Sequence, residues 1–194
     1  MSYRHLSDIS TSHARGAWRT AYEAALLLGT FNSLVLDFVA RQCLGGTHLS
    51  DYLTKQLPVL PPDAYSVRDM LFIVPRVLEL TYTAYDLRTW AEVVTSSYNA
   101  RFPETPLVLP EAPYGFAPER RAELRAELDA KYARLYGLSR DELRYILDPA
   151  DTHGADYPSE TFRVLKNNEL RQFGEYRTQR LVLAAWDRME GGKS

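Results

Sequence analysis

Apolar residues recur at helical spacing along most of this chain, and prolines and glycines divide that pattern into segments. The pattern predicts a mainly α-helical protein. The first segment, residues 17–43, is predicted to form one long helix ending at Gly45-Gly46, since glycine is common at helix C-termini. From Leu49 to Leu60 the pattern indicates a short helix or turn that runs into a strand. We therefore expect a mainly α (α+β) fold with a small β element near residues 50–60.

A second helix is predicted to start at Ser66, because a serine followed three positions later by an acidic residue, here Asp69, is a helix-start signal. Its apolar positions continue to about Ser96. Pro75 lies inside this stretch and should kink the helix or split it in two. Five prolines within residues 99–118 then predict an extended, rigid loop.

The C-terminal part is predicted to be helical and bundle-like. Residues 119–136 are rich in Ala, Leu, Glu and Arg and form a helix, and Ser139 with Glu142 forms a capping box that opens the next one. Residues 159–168 are predicted to form one or two helical turns, and residues 175–189 a last amphipathic helix. The predicted core-facing residues of that last helix are Tyr176, Leu181, Leu183, Ala184 and Trp186.

A domain boundary is expected after the prolines at positions 58, 61 and 62, which gives regions 1–62 and 63–194. The net charge is only -2, so bulk charge does not favour a nucleic-acid partner. The charge is uneven, however: it is +1 over residues 1–62, -5 over 63–157 and +2 over 158–194. A polyanion is therefore expected to meet the two ends of the chain.

Cys43 is the only cysteine, which excludes an internal disulfide and a cysteine-based metal cluster and fits a reducing cytosol. No apolar run approaches the roughly 20 residues that span a bilayer, and Arg4, His5 and Asp8 precede any apolar stretch, unlike in a signal peptide. We expect a cytoplasmic protein without a membrane partner.

The stretch from Asn32 to Leu49, running on to Pro62, resembles a segment near the end of the target-recognition region in adenine-specific DNA methyltransferases. The resemblance is to the type IIG restriction–modification enzymes and the related methylases of phage-defence systems. The resemblance covers residues 26–187. Its later blocks are residues 71–87, 136–148 and 173–183.

This resemblance implies that residues 1–62 hold the end of a target-recognition domain. Residues 63–194 would be a helical C-terminal region that packs behind it and helps to clamp double-stranded DNA. The parent enzyme would flip an adenine and methylate its N6 with S-adenosylmethionine. That chemistry belongs to a separate methyltransferase catalytic domain or subunit, which is the second expected partner.

The residues themselves predict no catalysis in this chain. An adenine-N6 methyltransferase needs Asn or Asp before Pro-Pro-Tyr or Pro-Pro-Phe, but Pro61-Pro62 stands between Leu60 and Asp63, and no glycine-rich cofactor loop is present. We therefore expect no cofactor here, with S-adenosylmethionine bound by the catalytic domain.

A nuclease is a weaker possibility. Pro118-Glu119 followed by Asp129-Ala130-Lys131 matches the letters of a restriction-nuclease motif that holds Mg²⁺. All these residues fall on one predicted helix, whereas that motif needs adjacent strands. A solvated helix face with ion pairs such as Glu127–Lys131 is the preferred interpretation.

Candidate DNA-binding residues come from two places. After the first helix, Thr47 and His48 follow the glycine pair, where free backbone amides could hold a phosphate; a structural turn is the alternative. Near the C-terminus, Arg, Asn and Gln side chains suited to guanine and adenine edges are concentrated, although they could instead be solvated or dock on the catalytic domain. The candidate residues are Arg41, Thr47, His48, Lys55, Arg163, Lys166, Asn167, Arg171, Arg177 and Arg180.

The tyrosines Tyr132, Tyr136, Tyr145 and Tyr176 are predicted to be core or interface residues rather than base-stacking platforms. The favoured function is DNA target recognition or clamping, non-catalytic by itself. The alternative is a helical protein–protein interaction module that assembles a phage-defence complex, which the acidic middle of the chain favours.

Overall fold

A computed structural model describes residues 20–43, 50–158 and 161–191. Within these residues the fold is mainly α, as predicted, and contains no strand. Short 3-10 turns occupy Pro62–Ala64 and Tyr85–Leu87. The α-helices are α1 (Ala21–Phe31), α2 (Leu34–Cys43), α3 (Asp51–Thr54), α4 (Val67–Thr81), α5 (Arg88–Arg101), α6 (Pro118–Leu135), α7 (Arg140–Leu147), α8 (Pro149–His153), α9 (Arg163–Phe173) and α10 (Arg177–Gly191).

The β element predicted near residues 50–60 is wrong for the described chain. Helix α3 and a turn occupy its first half, and the rest is extended without strand pairing. Leu57 and Leu60 are buried there. A single extended piece cannot form a sheet without a neighbouring strand, so its apolar residues pack against the surrounding structure instead.

The described chain forms two compact units. The first comprises residues 20–32 and 58–121, and the second residues 33–43, 50–57, 122–158 and 161–191. In the first unit, α1 packs against α4 and α5. Both α1 and α4 begin with a capping box, Thr20 with Glu23 and Ser66 with Asp69, which confirms the predicted start at Ser66.

The long helix predicted over residues 17–43 is interrupted. Helix α1 ends at Phe31, where the Asn32 amide donates to the Leu28 carbonyl at 2.8 Å. Helix α2 then starts at Leu34, and the Ser33 hydroxyl accepts from the Leu36 N–H at 3.4 Å. These side chains satisfy backbone groups at a helix end and a helix start, so two helices replace one.

Pro75 does not split α4, contrary to one of the two predicted outcomes. The helix continues through Pro75 to Thr81, and the break follows at Tyr82. A proline inside a helix costs about 3 kcal/mol. Burial of the α4 side chains Ile73, Val74 and Val77 stabilises by about 1.5–3 kcal/mol each, which outweighs that cost.

The proline-rich segment is shorter than predicted, since α5 extends to Arg101 and α6 begins at Pro118. Hydrogen bonds of the Asn99 side-chain amide fix its course: Asn99 donates to the Leu107 carbonyl at 3.0 Å and accepts from the Leu107 N–H at 2.7 Å. The Tyr114 N–H donates to the Tyr82 carbonyl at 2.9 Å. The segment is therefore tied to the first unit along its length.

In the second unit, α7 packs against α2, α8 and α10, and α9 packs against α10. The predicted capping box of Ser139 and Glu142 is confirmed at the start of α7. Gly137 has φ 71°, the left-handed conformation expected after a helix end.

The core face of α10 differs from the prediction by about one position. Trp186, and Tyr176 just before the helix, are buried as predicted, but Leu181, Leu183 and Ala184 are half-buried. Val182 and Ala185 fill the core instead, since with Trp186 they stand three and four positions apart. Tyr132 and Tyr136 are buried, and Tyr145 is half-buried with its ring against Phe38 and His153.

Among the described residues, no single helix has the length and apolarity needed to cross a membrane. The consecutive helices α1 and α2 meet that length and composition only when taken together.

Candidate nucleic-acid interface on helix α9

Helix α9 lies on the surface of the second unit, and none of its 11 residues is buried. Buried aromatic side chains flank it: Phe162 precedes the helix with 6% exposure, and Tyr176 follows it with 7%. Gly174 ends the helix in the left-handed conformation with φ 74°. The helix is therefore fastened at its two ends and presents its outer side to solvent.

The outer side of α9 carries three of the predicted DNA-binding residues in one row, Arg163, Asn167 and Arg171. They are four positions apart, so they stand above one another on the helix, and all three are exposed. With a rise of 1.5 Å per residue the row is about 12 Å long. We call these three residues the α9 ridge. Val164, Asn168 and Gln172, also exposed, form a second row beside it.

The α9 ridge has the chemistry of a nucleic-acid contact. Arginine binds phosphates and the O6 and N7 atoms of guanine through two parallel N–H bonds, and asparagine matches the N6 and N7 atoms of adenine. The single acidic residue of the helix, Glu169, is half-buried and accepts bonds from Thr178 at 2.6 and 2.7 Å. No carboxylate of α9 therefore opposes an anion at the ridge.

Lys166 is not part of the ridge, although it was predicted to bind DNA. Its ammonium group pairs with the Asp148 carboxylate at 2.5 Å. The exposed fraction is 26% for the Lys166 side chain and 6% for that of Asp148. Lys166 thus faces the interior of the second unit, and its charge is matched there.

Arg177 and Arg180, on the first turn of α10, are also engaged within the chain. Arg180 forms an ion pair with Glu175 at 2.8 Å, and hydrogen bonding from Arg180 holds the pKa of that carboxyl below its usual value. The Arg177 guanidinium lies over the Phe173 ring, 4.4 Å from its centroid. Arg177 therefore sits beside the C-terminal end of α9, whereas the charge of Arg180 is balanced locally.

Arg41 lies near the other end of α9. It pairs with Asp37 at 2.9 Å, and its guanidinium stands 5.7 Å from the ring centroid of Phe162, the residue that precedes the helix. Lys55 is exposed on the turn after α3, and no described contact links it to α9. Thr47 and His48 lie outside the described residues.

Asp129, one of the letters of the nuclease motif, was predicted to lie on a solvated helix face, and this prediction is wrong. It does lie with Glu119 and Lys131 on the single helix α6, as predicted, but its side chain is buried rather than solvated. It accepts from the Leu34 N–H at 2.8 Å, and burial raises its pKa to about 7. No group of three or more metal-ligating side chains occurs among the described residues. Asp129 is thus a structural acceptor at the start of α2.

Sequence reasoning also missed Asp148 as the partner of Lys166. The two residues are 18 positions apart, and Asp148-Pro149 gives only a local signal for a helix boundary. Such a pair is recognisable only when the helices that carry it are placed together.

No protein-family model, curated protein or solved structure matches this chain.

Proposed function

We propose that this chain is a non-catalytic DNA-contacting part of an S-adenosylmethionine-dependent adenine-N6 DNA methyltransferase or restriction–modification enzyme, and that α9 meets the duplex. The observation that carries the proposal is the α9 ridge, two exposed arginines and an asparagine in one row on a surface helix. The resemblance of the sequence to target-recognition and C-terminal regions supplies the enzyme class.

The dimensions of the ridge agree with this role. The major groove of B-DNA is about 12 Å wide and admits an α-helix. Arg163 and Arg171 stand about 12 Å apart, so they can bind phosphates while Asn167 between them faces base edges. Phosphate contacts would orient the helix, and the asparagine contact would add a preference for adenine.

Charge argues for a local contact. The chain carries -2 overall, but α9 has three basic residues and one acidic residue. The exposed ridge arginines, together with Arg41 and Arg177 beside the helix ends, would supply the interaction, whereas Lys166 lies on the inner side of α9. About three phosphate contacts would weaken binding about 40-fold between ~50 and ~200 mM salt.

The remaining parts of the proposal concern the partners. S-adenosylmethionine and the flipped adenine would be bound by a separate catalytic domain or subunit. This chain would hold the duplex beside that domain, in the cytoplasm. The solvated basic face of α9 would then add affinity and orientation to a reaction that occurs elsewhere.

The test is fluorescence anisotropy of a labelled duplex at ~50 and ~200 mM salt. Arg163→Gln and Arg171→Gln should each weaken binding about fivefold and lower the salt slope by about 1. Arg188→Gln is the matched control: it removes one positive charge from the exposed surface of α10 in the same unit and should change binding little. Equal losses for all three variants would point to bulk charge, and absence of binding at the lower salt would reject the proposal.

A protein–protein module is the second candidate function, and one observation favours it. Val164 stands beside the ridge with 70% exposure, and Leu170 and Phe173 of the same helix are 42% and 41% exposed. Val164→Ser separates the two candidates. It should leave the salt-dependent DNA affinity within about twofold if phosphates dominate, and it should weaken docking if α9 binds a protein through its apolar side chains.

A further inference from the structure

Two polar contacts lie on the inner side of helix α9, none of whose own residues is buried. We propose that the Lys166–Asp148 ion pair and the Glu169–Thr178 contact are positioning pairs that fix the orientation of the α9 ridge, and that α9 opens as a separate element when they are removed. The effect on DNA binding rests on the function proposed above, whereas the opening of α9 is measurable without DNA.

The first positioning pair joins α9 to the corner between α7 and α8. Asp148 caps the C-terminus of α7, and its N–H donates to the Arg144 carbonyl at 3.0 Å. Leu147 beside it is 1% exposed, so the backbone at this corner is fixed by the core. The Asp148 carboxylate therefore offers the Lys166 ammonium, 2.5 Å away, a rigid partner.

The second positioning pair joins α9 to the start of α10. Glu169 accepts from the Thr178 N–H at 2.7 Å and from the Thr178 hydroxyl at 2.6 Å. Thr178 is the second residue of α10, so the carboxylate satisfies one of the free N–H groups of that helix start. Lys166 and Glu169 are three positions apart and share the side of α9 turned away from the ridge.

The direction in which DNA affinity changes when the Asp148 charge is removed separates positioning from direct contact. If Lys166 bound phosphate, loss of the Asp148 charge would release its ammonium and raise the affinity for DNA. If the pair positions α9, loss of that charge disorders the ridge and lowers the affinity, although the protein becomes more positive. The Asp148 side chain is buried and that of Lys166 is partly exposed, so loss of the Asp148 charge leaves a partly desolvated ammonium without this partner and should loosen α9.

The experiment compares Asp148→Asn with Asp187→Asn in the full chain. Both variants raise the net charge by one, and Asp187 on α10 belongs to an exposed ion pair with Arg140 on α7. The first readout is amide hydrogen exchange of α9 without DNA, and the second is duplex anisotropy with its salt slope. Asp148→Asn should speed exchange over α9 about tenfold or more, with little change over α4, and Asp187→Asn should not.

For binding, Asp148→Asn should weaken DNA affinity about tenfold, while Asp187→Asn leaves it equal or slightly tighter. Tighter binding by Asp148→Asn, or unchanged exchange over α9, overturns the inference. If the wild-type protein does not bind DNA but Asp148→Asn still speeds exchange over α9, positioning is supported and only the proposed function is rejected.

Thr178→Val keeps the inference testable if Asp148→Asn fails to fold. It removes the hydroxyl bond to Glu169 and keeps the backbone N–H bond. Exchange over α9 should then rise about threefold to tenfold. Unchanged exchange in this variant counts against the second positioning pair.

Discussion

Helices α4 and α9 are secured in opposite ways. In the first unit, α4 buries Ile73, Val74, Val77 and Leu78, each at most 3% exposed. In the second unit, α9 buries none of its own residues: the buried Phe162 and Tyr176 flank it, and charged and polar side chains hold its inner side. Apolar burial is not directional and is not screened by salt, whereas ion pairs hold one geometry and can be broken singly. Helix α4 therefore contributes mainly to the stability of the fold, whereas the orientation of α9 can be changed by altering single polar contacts.

The largest expected effect is on the stability of the α4 core. Ile73 is fully buried, so Ile73→Ala should lower the free energy of unfolding by about 2–5 kcal/mol. Val164→Ala on the outer side of α9 removes an exposed side chain and should change it by less than about 0.5 kcal/mol. Urea unfolding of both variants measures the contrast. Comparable losses would show that α9 also contributes to an apolar core and would remove the distinction.

The two units also differ in how they treat a buried carboxylate. In the first unit, Asp69 belongs to a capping box and accepts from the Ser66 N–H and hydroxyl at 2.8 and 2.6 Å. In the second unit, Asp129 accepts from the Leu34 N–H at 2.8 Å within a helix. Because the Asp129 carboxyl is buried away from water, its charged form is unfavourable.

The second prediction follows from the pKa of Asp129, which burial raises from 3.8 to about 7. The folded protein holds this proton more tightly than the unfolded chain, so the associated stability is present below about pH 4 and lost as the pH rises through 7. The Leu34 N–H and the Arg125 charge oppose this shift, and the Asp37 charge adds to it.

Asp129→Asn keeps an acceptor oxygen and cannot ionise. Its stability relative to the wild type should therefore rise by about 2 to 3 kcal/mol between pH 5 and pH 8, at 1.36 kcal/mol per pKa unit. Urea unfolding of both proteins at the two pH values gives this difference directly. A difference that stays constant with pH would mean that Asp129 remains ionised in the folded protein.

The parts of the fold that were predictable are those set by neighbours in sequence. The capping boxes at Ser66 and Ser139 each involve residues three positions apart, so the sequence shows them directly. At the start of α2, the Leu34 N–H donates to Asp129, 95 positions away, and no local signal in the sequence reports that contact. Pro75 was weighed by its local cost, whereas tertiary burial decided the outcome.

The candidate site was predictable to the same extent. The residue types of Arg163, Asn167 and Arg171 indicate a DNA contact, but the helical turns predicted over residues 159–168 end before Arg171, so the sequence does not show the common row on α9. Helix ends are the least certain part of a periodic pattern. A lysine such as Lys166 is also suited to contact phosphate. Only its short distance to Asp148 shows that it binds a carboxylate within the protein and does not belong to the exposed row.

The smallest predicted effect compares the same local motif in the two units. Removing a capping serine costs about 1 kcal/mol, so Ser66→Ala and Ser139→Ala should both lower the free energy of unfolding by about that amount. Ser66 should cost more, because the bond that its hydroxyl donates to Asp69 is more buried than the one to Glu142, so water replaces it less readily. Urea unfolding resolves the difference if both variants are measured together. A larger loss at Ser139 would show that the capping box of α7 stabilises the protein more than that of α4, which is the reverse of what the burial of Asp69 implies.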